Sequence, residues 1–459
     1  SDYLSFYIYI FILLIYLNYL IMKKKSLLVL EINECDFDFF YKGAKKYNYP
    51  LIKEFFKNKK INYTFTKDKS EGLNLDPWVQ WVSVHTGQKS KEHGVLRLGQ
   101  KLNSKIPQIW DVLPQKKKIL WGLFNSILKS KKNINIFFPD PWSYTQNSYP
   151  KHFDNYLKLP RYYAKNYPNI KILNILKNIV IFFLKIIFSK NIFYILKNIH
   201  IFLKIFFKYN IKSFNLYFFL DLLSLEIVNN QLNKKKTDLA IIGLNSFAHY
   251  QHNYWDQNKF EAVYFWYLNQ MIKKFISISS KFNSVVIYNG FSQKKIKPQF
   301  ALRPKKFDDF VKILQIKFYK IEPNMTTGMT IYFKSNKEKK KAIKNISKIT
   351  YNNYNLFYFI NYKNEKKIFF KFNIIFATDD IKKILNKNTK IKVFKKNIRK
   401  IPENKNLLNI IFNNCIFLKS TSIHTASGKM YTKNFFNNHL HHKIENHKLF
   451  YYIVNYFKD

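Results

Sequence analysis

The chain has 459 residues, 47% of them hydrophobic and 19% aromatic, and this content excludes wholesale disorder because it can fill a sizeable core. The formal net charge of +50 is almost entirely lysine, and the only arginines are Arg97, Arg161, Arg303 and Arg399. Since proteins that recognise phosphates and bases favour the bidentate fork of arginine, no specific nucleic-acid partner is predicted. The presence of only two cysteines argues against a disulfide framework and suits a reducing compartment.

The amino-terminal residues 1–22 have two interpretations. Residues 3–22 carry no charge and are long enough to cross a bilayer, and the lysines at 23–25 would hold the downstream chain in the cytoplasm. Alternatively, the chain starts naturally at Met22, just before a strand, and residues 1–21 are upstream sequence translated by mistake. Both interpretations place the main body in the cytoplasm, with a membrane anchor only under the first.

Short apolar runs that end in polar residues recur along the chain and predict buried parallel strands. They are found at residues 26–33, in KKILWGLFNS, at Leu239–Leu244 and in NSVVIYNGFSQ. Helical patterns such as NYPLIKEFFKNK alternate with these runs. The alternation predicts an α/β domain with a mostly parallel sheet, in which ligands bind beyond the carboxyl ends of the strands.

One segment that interrupts this alternation, residues 171–232, is dense in Ile, Phe, Leu and Lys. Lys190, Lys197 and Lys204 recur every seven residues and Lys208 follows one turn later, so these lysines share one helical face. The segment is predicted to be a helical insertion packed on the core. A membrane-surface helix, giving peripheral membrane contact, is the alternative.

A second interruption covers residues 303–405, where MTIYFKS, KEKKKAIKNISKI, NLFYFINY and KKIFFKFN predict strand, helix, strand and strand. This pattern indicates a small α+β insertion that could act as a cap. The core is then assembled from residues 23–170, 233–302 and 406–459, the last with a histidine motif and a polar tail.

The window WVSVHTGQKSKEHGV resembles the segment with Thr-Gly and, further on, His-Gly in the alkaline-phosphatase-like superfamily, most closely the branch of type I phosphodiesterases and nucleotide pyrophosphatases. VLEINECDFDFF, GLNSFAHYQHNYW, VVIYNGFSQ and SIHTASGKMY resemble the other motifs of that family, in the expected order. Together they cover most of residues 23–293 and 420–431. The resemblance implies a three-layer sandwich with a mostly parallel central sheet. It also implies ester chemistry with two cations and a Ser or Thr nucleophile.

The chain departs from the family pattern at the groups that carry this chemistry. Asn33, Ala248 and Asn289 stand where the family has carboxylates, and Pro77 falls near the position of the nucleophile. A site without these carboxylates cannot neutralise two dications. The standard two-metal mechanism is therefore not predicted. One divalent cation (zinc, manganese or magnesium), or none, is expected instead.

The remaining polar and aromatic residues of the motifs are expected to line one cleft. Glu34 is the predicted general acid/base, because burial at the end of a strand should raise its pKa, and His252 and His249 are further catalytic candidates. His252 and His424 are the predicted ligands of the one metal. The predicted substrate-binding residues are Asn33, Trp78, Gln80, Trp81, Asn245, Asn289 and, from FPDPWS, Asp140.

Structural roles are the alternative for these residues: packing for the two tryptophans, hydrogen-bonded core groups for the histidines, and a helix cap for Glu34. The resemblance implies a cytoplasmic hydrolase or transferase acting on a phosphate or sulfate ester, such as a nucleotide sugar or a surface-glycan precursor. A similar subgroup of the superfamily is found near surface-polysaccharide genes. The alternatives are a pseudoenzyme or binding protein with the same fold, and a membrane-associated assembly factor.

Overall fold

The structure is a computed structural model that describes residues 25–68, 75–166, 213–323, 327–377, 404–435 and 443–458, except positions 142, 144, 145, 352, 353, 364 and 374. Between 167 and 212 it describes isolated helical residues: Leu173, Lys177, Asn178, Val180, Ile181, Leu184, Leu203, Ile205 and Phe207. The predicted segment 1–22 lies outside the described residues. No helix within these described stretches has both the length and the apolarity needed to cross a bilayer.

The strands in chain order are β1 (Leu27–Ile32), β2 (Lys60–Phe65), β3 (Lys118–Leu123), β4 (Ile134–Pro139), β5 (Leu239–Leu244), β6 (Ser284–Tyr288), β7 (Ser292–Pro304), β8 (Lys320–Pro323), β9 (Met329–Tyr332), β10 (Thr350–Tyr351), β11 (Tyr354–Asn355), β12 (Phe357–Asn361), β13 (Lys367–Phe372), β14 (Ile375–Ala377), β15 (Cys415–Thr425), β16 (Ser427–Lys433) and β17 (Lys443–Glu445).

The α-helices are α1 (Phe37–Lys46), α2 (Pro50–Lys57), α3 (Pro77–Thr86), α4 (Ser90–His93), α5 (Asp154–Asn166), α6 (Ser213–Lys234), α7 (Ser246–Asn253), α8 (Asn258–Ser279), α9 (Phe307–Ile313), α10 (Asn336–Ser347), α11 (Asn404–Asn413) and α12 (Leu449–Lys458). Single 3-10 turns lie at Lys151–Phe153 and Asn446–Lys448.

The central sheet has the strand order β17-β2-β16-β6-β1-β5-β3-β4. The five strands from β6 to β4 are parallel, whereas β16 is antiparallel to both of its neighbours, β6 and β2. The predicted α/β class with a mostly parallel sheet is therefore confirmed. Because the five parallel strands share one direction, their carboxyl ends meet at one edge of the sheet.

Helices cover both faces of this sheet. Along β1, Leu28 and Leu30 join one buried cluster, which includes side chains of α1, α2, α6 and α8. Leu27 and Val29 point to the other face and join a second cluster with α3 and α12. A strand buried on both faces has to be apolar at every position, which explains the continuous run LLVL. The predicted three-layer sandwich is thus present.

A second body of antiparallel strands is connected to the core by two long strands. β12, β13, β9 and β8 form one sheet in that order, and side chains of α9, α10 and α11 share its buried cluster. β7 and β15 are antiparallel neighbours from Cys415 opposite Pro304 to Thr425 opposite Ser292. Just beyond the Cys415–Pro304 end of this ladder, Lys305 N donates to Asn414 O at 2.8 Å. The chain between Lys305 and Asn414 is referred to here as the cap. It therefore leaves and re-enters the core at adjacent points.

Tight packing between α1 and α8 leaves no room for a side chain at Gly43, where a Cβ atom would lie 1.7 Å from Phe265 Cζ. We expect Gly43→Ala to lower the free energy of unfolding by about 2 kcal/mol, although alanine is the better helix former. Urea unfolding followed by circular dichroism measures this change. Lys45→Ala, on the exposed face of the same helix, is the control and should be near neutral. Equal stability of the two variants would contradict the packing described.

Candidate metal centre

The carboxyl ends of three neighbouring strands bring the predicted polar residues together. Asn33 and Glu34 follow β1, Asn245 follows β5, and Asn289 follows β6. The turns are tied to each other by backbone bonds, from Glu34 N to Asn289 O at 3.1 Å and from Asn33 N to Leu244 O at 2.9 Å. Glu34 has a φ of 55°, a left-handed conformation that turns its side chain back over the sheet edge.

Two histidines from distant parts of the chain converge on Glu34. Its Oε2 lies 2.8 Å from His252 Nε2, on α7, and 2.9 Å from His424 Nε2, on β15. The two Nε2 atoms are 3.4 Å apart. Within the described residues, these three form a group of potential metal ligands whose ligand atoms lie within 4.8 Å of one another. The structure thus brings together the two predicted metal ligands and adds Glu34 to them.

The hydrogen bond on the far side of His424 determines what can occupy the centre. His424 Nδ1 lies 2.8 Å from the carbonyl oxygen of Leu75, which can only accept, so Nδ1 carries a proton. In the neutral ring the Nε2 lone pair then faces the carboxylate of Glu34, and two acceptors would repel each other. Either a second proton on the ring or a metal cation removes this conflict. Backbone carbonyls often orient metal-binding histidines in this way, so the residues fit a cation.

His252 is held by a chain of side chains that comes from the β7–β15 ladder. Its Nδ1 lies 3.2 Å from Ser422 Oγ, and Ser422 Oγ donates to Gln293 Oε1 at 2.6 Å. Gln293 Nε2 in turn donates to Glu34 Oε2 at 2.7 Å and lies 3.0 Å from His252 Nε2. The sequence interpretation did not include Gln293 or Ser422 among the site residues. The only sequence signal for them was their place inside the FSQ and SIHT motifs.

The expected rise in the pKa of Glu34 is wrong. Burial does favour the protonated form, but the positive charges and hydrogen bonds of His424 and His252 outweigh it and hold the pKa of Glu34 well below its usual range. For His424, burial disfavours the charge, yet the Glu34 and Asp76 carboxylates raise its pKa to about 9. Without a metal, the centre is therefore a buried ion pair of carboxylate and imidazolium.

Asn33 fixes the orientation of Glu34. Its Nδ2 donates to Glu34 Oε1 at 3.0 Å and to Asn245 Oδ1 at 2.7 Å, and its Oδ1 accepts from Trp81 Nε1 at 2.7 Å. Trp81 is 0% exposed and therefore has no surface on which a substrate ring could stack. In this structure Asn33 thus links Asn245 and Trp81 to the carboxylate of Glu34.

Asn289 and His249 are also held by neighbouring groups. Asn289 Nδ2 donates to Cys35 O at 2.8 Å, and its Oδ1 accepts from Lys429 N at 2.9 Å, so the amide ties two loops together. His249 stacks on Tyr217 with ring centroids 3.7 Å apart. Burial lowers the pKa of His249 to about 3, which keeps its ring neutral.

Three further predicted residues are buried on α3 or just after β4. Gln80 is buried and turned toward Asp68 and Asn446, to which it is bonded at 2.7 and 3.0 Å. Trp78 is 7% exposed and packs in the interior. Asp140 follows β4, three strand positions from β1 in the sheet, which corresponds to about 14 Å.

Asp76 is a second carboxylate of the site that the sequence interpretation missed. It precedes Pro77 at the start of α3, and its side chain makes no capping bond to that helix. Burial and the nearby Glu34 carboxylate raise the pKa of Asp76 to about 7, although His424 and Lys371 favour its charged form. The family motif aligns the nucleophile position with Pro77, one residue later, and so the sequence did not single out Asp76. An Asp directly before a helix-starting Pro was the available signal, but it is also the usual sign of a cap.

Comparisons with known proteins give similarity at the level of structure only. No family model matches the sequence, and no curated protein matches it. Phosphonoacetate hydrolase from Sinorhizobium meliloti 1021 is similar with phosphonoformate bound (10% identity, TM-score 0.42) and with phosphonoacetate bound (9%, 0.37). Murine ectonucleotide pyrophosphatase/phosphodiesterase 5 is similar at 8% identity and a TM-score of 0.42. Each comparison covers 94% of this chain and 95% of the other.

Proposed function

We propose that this protein is a metal-dependent hydrolase of phosphate or sulfate esters that uses one divalent cation. The observation that supports this most is the convergence of Glu34 Oε2, His252 Nε2 and His424 Nε2 on one point. One carboxylate and two imidazoles are a ligand set of catalytic zinc sites, which keep a further position for water or substrate. A zinc ion bound there would polarise an ester oxygen and lower the pKa of a water molecule.

Charge favours a substrate that carries a single negative charge. A dication whose only carboxylate ligand is Glu34 leaves a net charge of about +1 on the metal and its ligands, and an ionised Asp76 nearby would disfavour a doubly charged ester further. A phosphodiester or a sulfate monoester would neutralise this charge. A second cation would need further carboxylates, which Asn33 and Asn289 cannot supply.

We assign proton transfer from the attacking water to Asp76. Its carboxylate is an electrostatic neighbour of both His424 and Glu34, and it is not used as a cap by α3. Asn33 on one side of Glu34 and Gln293 on the other keep the metal-facing carboxylate in place. A metal ligand fixed in this way would hold a bound water in one place, which a general base needs in order to act on it.

Ligand binding without turnover is the second candidate function. Pro77 offers no hydroxyl group at the head of α3, so a covalent intermediate on that residue is excluded. Under this function the same centre would hold an anionic ligand and not cleave it. A nucleotide-sugar or surface-glycan substrate, and a cytoplasmic location, remain predictions from the sequence.

The metal centre predicts zinc binding by a defined set of side chains. We expect the purified protein, dialysed against zinc and then against buffer, to retain about one ion per chain, and His424→Ala to lose most of it because one of three ligands is gone. Elemental analysis by mass spectrometry measures this content. His152→Ala removes an exposed histidine and should retain zinc like the wild type. Equal zinc content in all three proteins would contradict the assigned ligands.

The catalytic assignment predicts a specific loss of turnover. With zinc bound, Asp76→Asn should lower kcat for bis(p-nitrophenyl) phosphate by about 100-fold or more and leave the zinc content unchanged, because the base is lost and the ligands are not. Asp309→Asn, an exposed residue of α9, is the matched control and should be fully active. Zinc binding without turnover of diesters or sulfate esters would favour the binding function. Full activity of Asp76→Asn would remove Asp76 from the mechanism.

A further inference from the structure

In the predicted helical insertion, residues 171–232, several of the described residues present apolar side chains to solvent at the spacing of one helical face. Positions 173, 177, 180 and 184 follow the spacing of a single face, and all four are exposed. Three of them are apolar: Leu173 is 81% exposed, Val180 55% and Leu184 47%. The outward face of a helix on an ordinary globular protein is polar, so this arrangement is the reverse of the usual one.

A second part of the insertion shows that it is attached to the core while apolar groups remain outside. Ile205 is 8% exposed and belongs to the buried cluster on the α6 and α8 side of the sheet. Leu203, two residues earlier and on the opposite side of a helix, is 41% exposed. Of these two described residues, Ile205 therefore packs on the core while Leu203 faces solvent.

The charge of the chain around these exposed residues, up to the first acidic residue of the insertion at Asp221, is entirely positive. Residues 155–220 contain eleven Lys and Arg residues and no Asp or Glu. Exposed apolar side chains between lysines are the composition of helices that lie in the interface of an anionic membrane, where the apolar groups enter the acyl boundary and the lysines pair with headgroups. Nucleic acid would match the lysines but would leave the exposed leucines without an apolar environment.

We propose that the exposed apolar side chains of Leu173, Val180 and Leu184, together with that of Leu203, dock the protein peripherally on a bilayer that contains anionic lipids. The attachment is independent of the metal centre. It needs no membrane-spanning helix, because these side chains would enter only the interface of the bilayer. The alternative partners, a nucleic acid or a second copy of the chain, are outcomes that the following experiment distinguishes.

The experiment is flotation of the purified full chain with vesicles of phosphatidylglycerol and phosphatidylcholine in equal parts, and with pure phosphatidylcholine vesicles. We expect binding to the anionic vesicles, weaker binding to the neutral ones, and weakening at high salt. The triple variant Leu173→Gln, Val180→Gln and Leu184→Gln should lower the partition coefficient at least about tenfold, since three apolar side chains no longer enter the bilayer. The matched control is Ile375→Gln, which makes the same kind of change at an exposed residue of β14 and should bind like the wild type.

Three results would overturn the proposal. Anionic vesicles that bind the triple variant as well as the wild type would show adsorption through net charge alone. Retention on a single-stranded RNA oligonucleotide that the triple variant loses, with no vesicle binding by either protein, would assign these side chains to a nucleic acid. A wild-type dimer that the triple variant converts to monomer, with no vesicle binding by either, would assign the face to a second copy of the chain. Circular dichroism of each variant checks that the fold is retained.

Discussion

A single oxygen atom, Glu34 Oε2, is the point on which the arrangement of this site depends, because His252, His424 and Gln293 all contact it. The carboxylate is buried at the edge of the sheet, and a buried charge is tolerated only when it is paired and fully hydrogen-bonded. Every partner comes from a different element: α7, the end of β15 and the start of β7. Formation of the centre therefore requires both the parallel sheet and the antiparallel ladder to be in place.

The position of α7 illustrates how the fold meets this requirement. Asp221, on α6, accepts from the backbone N–H groups of Asn245 at 3.1 Å and Ser246 at 2.9 Å, and so caps α7 from a neighbouring helix. Burial raises the pKa of Asp221 to about 6. The first turn of the helix that carries His252 is thus fixed by a side chain that is not one of the three candidate ligands. Precise placement of a ligand comes from groups that never touch the metal or the substrate.

The sequence was sufficient for the parallel core because strands buried on both faces have a clear signature. The run at Leu239–Leu244 was predicted with the bounds that the structure has, and the position of Glu34 after β1 followed from the same reasoning. The long strands β7 and β15 were not predicted. They mix polar and apolar residues without a continuous apolar run, they are half exposed, and their pairing joins positions more than 100 residues apart. Gln293 and Asp76 were missed because their roles come from such distant contacts and not from local pattern.

The ladder between β7 and β15 also bears on how this chain could change in evolution. His424 lies opposite Gln293 in that ladder, and a shift of one residue in either strand would turn one of them to the other side. Single insertions within these strands are therefore strongly disfavoured. Beyond the ladder, the neighbouring ends at Lys305 and Asn414 allow whole modules to be lengthened, exchanged or replaced by a short turn without moving the side chains around Glu34. The cap is the part of the molecule where new specificity can be acquired at least structural cost.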